Sequence, residues 1–361
     1  MRQPRSDAHR VMALALGGLV LLVVAGRLIS HGLTSNPPKP PAPPATTPNS
    51  VSLTAPASTL PPGVTATIDN LGVGARQLAV GSGGVWVALW DDGQVVRVDP
   101  TRNRVAARIP VGRPQQGPLG IAAGFGAVWV TDYGDGALLR IDPARDRVAA
   151  WIPIGEVGSV ATGAGAVWVT GGEAGHRVIR VDPRTNQVTA KIPIPGGFQL
   201  WNVAADRRWV WLENVDGTMW RIDATSNHAT RLRVTVRWAS TSMGPGTLVA
   251  GDGMVWAGSD QELVRLDPAT GRPLVRLPWK GQAGQGFTRA GGGVGTIGAG
   301  GVWFAWQQGV SGIDPASNGI IGTVRFLGGI RSLASAGGVL WALSGDSVVR
   351  IEPARIAGPP P

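Results

Sequence analysis

Four histidines, 23 carboxylates and no cysteine bound the chemistry open to this chain of 361 residues. Without thiols there can be no disulfide, no thiolate metal site and no lipidated N-terminal Cys. His9, His31, His176 and His228 share no motif and no common position, so neither a nucleophile–His–acid arrangement nor a metal-ligand spacing is present. The segment Gly293–Gly298, GVGTIG, has the form G-x-G-x-x-G, but it precedes the apolar run GVWFAW instead of opening a helix. It therefore fails the context that a dinucleotide fingerprint requires. We assign no catalytic residue, no metal and no cofactor from the sequence. Two acids are placed where chemistry could occur: Asp132, after Trp129-Val130-Thr131, and Glu213, two residues after Trp211. A lyase- or hydrolase-type enzyme using either of them is the alternative to a binding protein.

Aromatic and cationic residues offer recognition instead of reaction. Trp201, Trp209, Trp211, Trp220 and Trp238 crowd into one stretch of the chain, together with Arg207, Arg208, Arg221, Arg231, Arg233 and Arg237. Flat rings beside guanidinium groups suit glycans, bases or anionic groups. Trp90, Asp132, Tyr133, Glu213, Trp306 and Arg289 of the segment Lys280–Gly293 fall in the turns that would share one face of a repeat-built domain. Trp201 occupies a position that other repeats fill with Arg76, Leu119, Gly158, Gly246, Gly293 or Arg331. We expect Arg76, Trp201 and Arg331 to gather at the mouth of a central channel, where two like charges would favour an acidic partner.

These residues are positioned by a repeat. Trp86, Trp129, Trp168, Trp211, Trp256, Trp303 and Trp341 recur at intervals of 38 to 47 residues. Asp99, Asp142, Asp182, Asp223, Asp267, Asp314 and Glu352 follow them by 11 to 14 residues, with Pro next in all but one (Ala224). Each unit parses as a small-residue strand, a Gly turn, an apolar strand holding the Trp, a Gly-rich turn, a third strand, and a turn at Asp-Pro before a fourth strand. The Asp carboxylate can cap its turn, and Pro presets φ at the next position. Four short strands per unit, seven times over, predict an all-β, seven-bladed propeller of four-stranded antiparallel blades. The last unit lacks a fourth strand, and GVTATIDNLG before the first unit reads like one. Residues 64–70 are thus expected to close the ring and remove its exposed edges.

VVRVDPTRNRVAARIPVG and VIRVDPRTNQVTAKIPIPG resemble the YVTN-type propeller repeat, a match that runs over nearly all of 64–353. That resemblance implies a surface or periplasmic β-propeller and names no activity. The register GP-x-x-I-x-x-G…VW-V-T is also similar to virginiamycin B lyase-like propellers. That resemblance implies an acid after the Trp strand, here Asp132, and a His on an inner strand, where this chain has none.

Ahead of the repeats, Arg2, Arg5 and Arg10 form a basic flank over residues 1–10, followed by a largely apolar segment over 11–29, uncharged from Val11 to Gly26, interrupted by Arg27 and continued by Leu28 and Ile29. With snorkelling arginines this run approaches the about 20 residues that a bilayer needs, and the flank sets the N-terminus inside. A single-pass, uncleaved signal anchor is expected, with secretion as the outcome if it is cleaved. Residues 30–62 are a Pro-rich linker, and 63–361 form the propeller. Beyond residue 63 the chain holds 28 positive and 22 negative residues, which reads as a solvated surface and not as a nucleic-acid track. The expectation is a monomeric propeller at the cell membrane, on the extracytoplasmic side, that binds a small ligand, a glycan or a protein. A structural surface protein is the third reading.

Overall fold

The computed structural model describes residues 60–356 apart from 172–175, 197–199, 215, 238–245, 260, 279–293, 307–308 and 327–328, and the side chain of Trp201 is also excluded. The basic flank, the apolar run of 11–29 and all but the end of the Pro-rich linker lie outside the described residues, as does Arg289. No helix among the described residues is long and apolar enough to cross a membrane.

The described chain forms seven four-stranded antiparallel sheets, the blades of a seven-bladed propeller. Blades 1 to 6 span 75–110, 118–153, 157–193, 200–235, 247–278 and 295–325, each with its strands in chain order. Every inner strand touches those of its two neighbours, blade 7 touching blade 1, so the ring is closed. Blade 7 takes three strands from 330–351 and its outer strand, Val64–Ile68, from the start of the ring. Val64 pairs with Ile351 and Ile68 with Val348. The closing strand is two residues shorter than 64–70. Asp69 turns off to accept a hydrogen bond from the Ser347 hydroxyl at 2.6 Å, and Asn70 has φ +60°.

Sequence and position within the blade agree. The second strands of blades 1, 2, 3 and 6, such as Gly84–Leu89 and Ala127–Asp132, are buried at every residue, and those of blades 4, 5 and 7 at all but their end residues, because a neighbouring sheet covers each face. The outer strands, such as Arg104–Pro110, alternate between exposed and covered residues, as strands half in water must. The seven repeated Trp are all at most 2% exposed. Each packs into the wedge between its own blade and the next: Trp86 sits with Val128 and Ile141, and Trp341 with Leu78 and Val85.

On the lower face, formed by the first-to-second and third-to-fourth turns, the six repeated Asp carboxylates accept main-chain N–H groups two residues on, as Asp99 does from Thr101 at 2.9 Å. Asn103, Asp146, Asn186, Asn227 and Asn318 end these turns at φ between +49° and +60°, a conformation Asn and Asp tolerate. An arginine two residues before the anchor acid then crosses to the next blade. Arg97 reaches Asp146 at 2.7 Å, Arg140 reaches Asn186 at 3.1 Å, and Arg180 reaches Asn227 at 2.9 Å. Arg221 takes the carbonyls of Pro268 and Ala269, and Arg265 the Asn318 oxygen. Each guanidinium also lies over the Trp of its own blade, at 5.1–5.8 Å from the ring centre. Gly312 replaces this arginine in blade 6, where a Cβ would meet the Trp303 ring at 2.6 Å.

Candidate functional site

The upper face collects the second-to-third turns and the loops that pass from blade to blade, and most of the residues singled out above lie on it. Its turns are tied down by main-chain hydrogen bonds. Trp90 N–H donates to Gly74 O at 2.9 Å, Gly134 N–H to Gln116 O at 2.8 Å, and the Ile154 and Gly155 N–H groups to Gly136 O. Rings carried on these turns are therefore held in place without being buried.

Arg76, Trp90 and Tyr133 come together. Arg76 enters the inner strand of blade 1 at an irregularity between Ala75 and Gln77. Its guanidinium lies 4.4 Å from the centre of the Trp90 ring. Trp90 in turn meets Tyr133 of blade 2 with ring centres 5.5 Å apart and planes tilted by 48°. Tyr133 is 58% exposed. Beyond Tyr133 a groove of about 700 Å³ runs over blades 2, 3 and 4, walled by Asp135, Glu156, Val157 and Leu200 and floored by Gly134, Gly136 and Gly158.

Arg331 belongs to the closure. Its Nη1 donates to Ala75 O at 2.9 Å and stands 3.9 Å from Asp346, whose carboxylate accepts the Ala75 N–H. Arg76 is thus stacked on a ring and Arg331 has an acid and a carbonyl beside it, so the two do not form an uncompensated pair of charges. Trp201 lies on the inner strand of blade 4, Leu200–Ala205, and its side chain is outside the described residues. Trp306 is buried, with its indole N–H donated to the Ser311 hydroxyl at 3.1 Å. Trp238 also lies outside the described residues, and the described tryptophans of blade 4 do not make one platform. Trp211 and Trp220 are core, whereas Trp209 sits on the lower face under Arg208 and Arg221.

Asp132 and Glu213 are each sealed within a blade junction. Asp132 ends the second strand of blade 2, is 1% exposed, and packs against Gly112, where a Cβ would lie 2.9 Å from its Oδ1. Burial raises its pKa, the Asp135 carboxylate adds to the rise, and the N–H groups of Gly134 and Asp135 oppose it. Glu213 is also 1% exposed. Asn202 donates to its Oε2 at 3.0 Å and, from the same nitrogen, to Gly246 O of blade 5 at 2.7 Å. Burial pushes the Glu213 pKa up to about 8, the Asn202 hydrogen bond only partly offsetting it. At neutral pH it is a protonated acid, and its Oε1 has no hydrogen-bond partner. A Cβ on Gly246 would meet both of its oxygens within 2.8 Å, so this glycine makes room for the carboxyl group.

The equivalent second-strand residue in blade 2 shows what this position does. Thr131 accepts the Gly120 N–H and donates to Gly158 O of blade 3, both at 2.8 Å. Asn202 with Glu213 makes the same blade-to-blade bridge with larger groups. Asp132 and Glu213 stand in separate blades with no histidine hydrogen-bonded to either among the described residues, and no group of three His, Asp or Glu there could hold a metal. What the upper face offers chemically is stacking on exposed rings and charge at the rim of a groove. The sequence had already picked out Arg76, Trp90 and Tyr133. It missed Asp135 and Glu156, which no motif marks, and of the arginines that cross between blades on the lower face it named only Arg221, as a companion of the clustered tryptophans. For these the signal was Arg-x-Asp or Arg-x-Glu at the end of the third strand in six of seven units. No family model matches the chain, and no curated protein matches it.

Proposed function

We propose that the protein is a ligand- or protein-binding propeller, tethered by residues 11–29 on the extracytoplasmic side of a membrane, and that it binds through its upper face. The observation that carries this reading is the ladder Arg76–Trp90–Tyr133, fixed by its turns yet open to water, at the edge of a groove of about 700 Å³. Pockets of 300–1,000 Å³ lined by rings and a few placed polar groups are the usual form of a binding site. Rigid aromatic residues lose little conformational freedom on binding and give large contact areas. The basic flank and apolar run supply the membrane part of the reading.

The test is photo-crosslinking in cells with benzoylphenylalanine in place of Tyr133 on the upper face, Phe125 on the lower face or Trp151 on the outer rim, all exposed. Adducts formed from position 133 alone support the reading. The same adducts from all three positions, or adducts from 125 or 151 only, overturn it. For location, the chain has no natural cysteine. Trp151→Cys should be labelled by a membrane-impermeant maleimide in intact cells, and labelling only after lysis would place the propeller inside.

A further inference from the structure

The groove beside Tyr133 differs in charge from the rest of the protein. The chain as a whole has 33 basic and 23 acidic residues. Yet the described lining of its upper-face groove holds two carboxylates, Asp135 and Glu156, and no Lys or Arg. Both carboxylates are exposed. Asp135 has one distant neighbour, Arg113 at 3.7 Å, whose own side chain is 76% exposed. Glu156 has no ion pair among the described residues. The groove's aromatic wall, Tyr133, carries the negative face of a π-system, which attracts cations as carboxylates do.

The lining also separates kinds of cationic ligand. A sugar is read through many directed hydrogen bonds from side chains. Here the floor is main chain at Gly134, Gly136, Gly158 and Gly171, and the hydroxyl of Thr170 already accepts the Ser159 N–H at 2.9 Å. An open trough that crosses three blades, with a main-chain floor and carboxylates along its walls, fits an extended chain with basic side chains. Resting on the reading of the upper face given above, we infer that the groove docks a basic, extended peptide segment of a protein partner, with a Lys or Arg laid against Tyr133 and its charge held by Asp135 and Glu156. Arg76, stacked behind Trp90, then orders the aromatic wall.

The experiment is fluorescence anisotropy on the full-length protein in detergent, with labelled heptalysine, labelled heptaglutamate and a labelled chitosan oligomer as probes. Heptalysine should bind, weaken as salt is raised, and weaken at least tenfold with Asp135→Asn/Glu156→Gln and with Tyr133→Ala. All three side chains are exposed, so the variants should fold, which an unchanged thermal midpoint verifies. Asp252→Asn removes an exposed acid from the lower face and should change nothing. An equal loss with Asp252→Asn, or no binding of heptalysine, overturns the inference, and a preference for chitosan overturns the peptide in favour of an amino sugar. If heptaglutamate binds and is lost in Arg76→Ala with Trp90→Ala, the upper face is the binding face but its ligand is an anion. If no probe depends on any of these residues, both readings fail.

Discussion

The two faces of the ring are built by the same repeat and treat it differently. On the lower face one arrangement recurs: an anchor Asp capping its turn, a left-handed Asn or Asp ending it, and an arginine from the preceding blade reaching across. On the upper face the main-chain ties of the turns recur, as in Ile154 N–H to Gly136 O and Val111 N–H to Gly93 O, but the side chains vary: Trp90 and Tyr133 share one turn position, and Glu156 and Leu200 stand at two others. Identical residues at each repeat answer a demand that each junction makes, namely to fix one blade against the next. Residues that differ at each repeat answer a demand that arises once. The lower face carries the ties that recur from blade to blade, and the upper face carries side chains that do not.

That contrast can be broken most severely at the closure. Deleting residues 63–68 strips the outer strand from blade 7 and exposes the edge of Ser347–Ile351. The thermal midpoint followed by circular dichroism should fall further than for any single substitution, with self-association on gel filtration. An unchanged midpoint would mean that the ring does not depend on its closing strand. Next in size, Trp129→Ala should cost about 3–5 kcal/mol in denaturant unfolding, as large-to-small changes in a packed core do.

Glu213 tests a junction that breaks the rule. Folded, it releases its proton near pH 8; unfolded, it does so in the ordinary carboxylate range. Between these values the folded chain keeps a proton that the unfolded chain has lost. The contribution to stability is complete below the ordinary range and disappears as pH rises through about 8. The wild type should therefore lose stability steadily from pH 5 to 8, and Glu213→Gln should flatten that slope while matching the wild type near pH 4. Parallel profiles would show that the carboxyl group ionises freely. The lower-face Asp residues work in the opposite direction and only in acid: the Arg145 guanidinium holds the pKa of Asp142 down, and main-chain N–H groups hold down those of Asp182 and Asp223.

Smaller still, Arg140→Met should cost about 1–3 kcal/mol, because it strands the oxygen of Asn186 and uncovers Trp129. Tyr133→Ala on the other face should stay within about 0.5 kcal/mol of wild type, as exposed substitutions do. Equal costs for these two would erase the distinction between the faces.

Sequence reading reached the periodic part of this molecule and stopped where periodicity stops. Trp86, Asp99 and their counterparts were legible because the Trp fills the same wedge seven times and the Asp caps the same turn six times, and a recurring physical demand leaves a recurring letter. The count of blades followed from them. Burial of Glu213 was not legible, since a lone acid two residues after a core Trp reads equally well as facing water. Nor was the role of Arg331 at the seam, whose partner Ala75 is 256 residues away. Arg76, Trp90 and Tyr133 were found from their turns, but the acids of the groove needed three blades placed side by side.

The closing strand has a consequence for the order of events in folding. Ile68 leaves the ribosome long before Val348, which it must pair with. At the usual rates of synthesis the interval is about 15–60 s. Throughout that time VTATI is a β-strand without a sheet, and no intermediate with six finished blades can satisfy it. Joining the two ends carries the largest loop-closure cost in the ring. Until it is met, the first strand is a free edge, open to pairing with another copy of the chain in the same state. The seam that completes the propeller is thus also where two unfinished propellers could exchange strands.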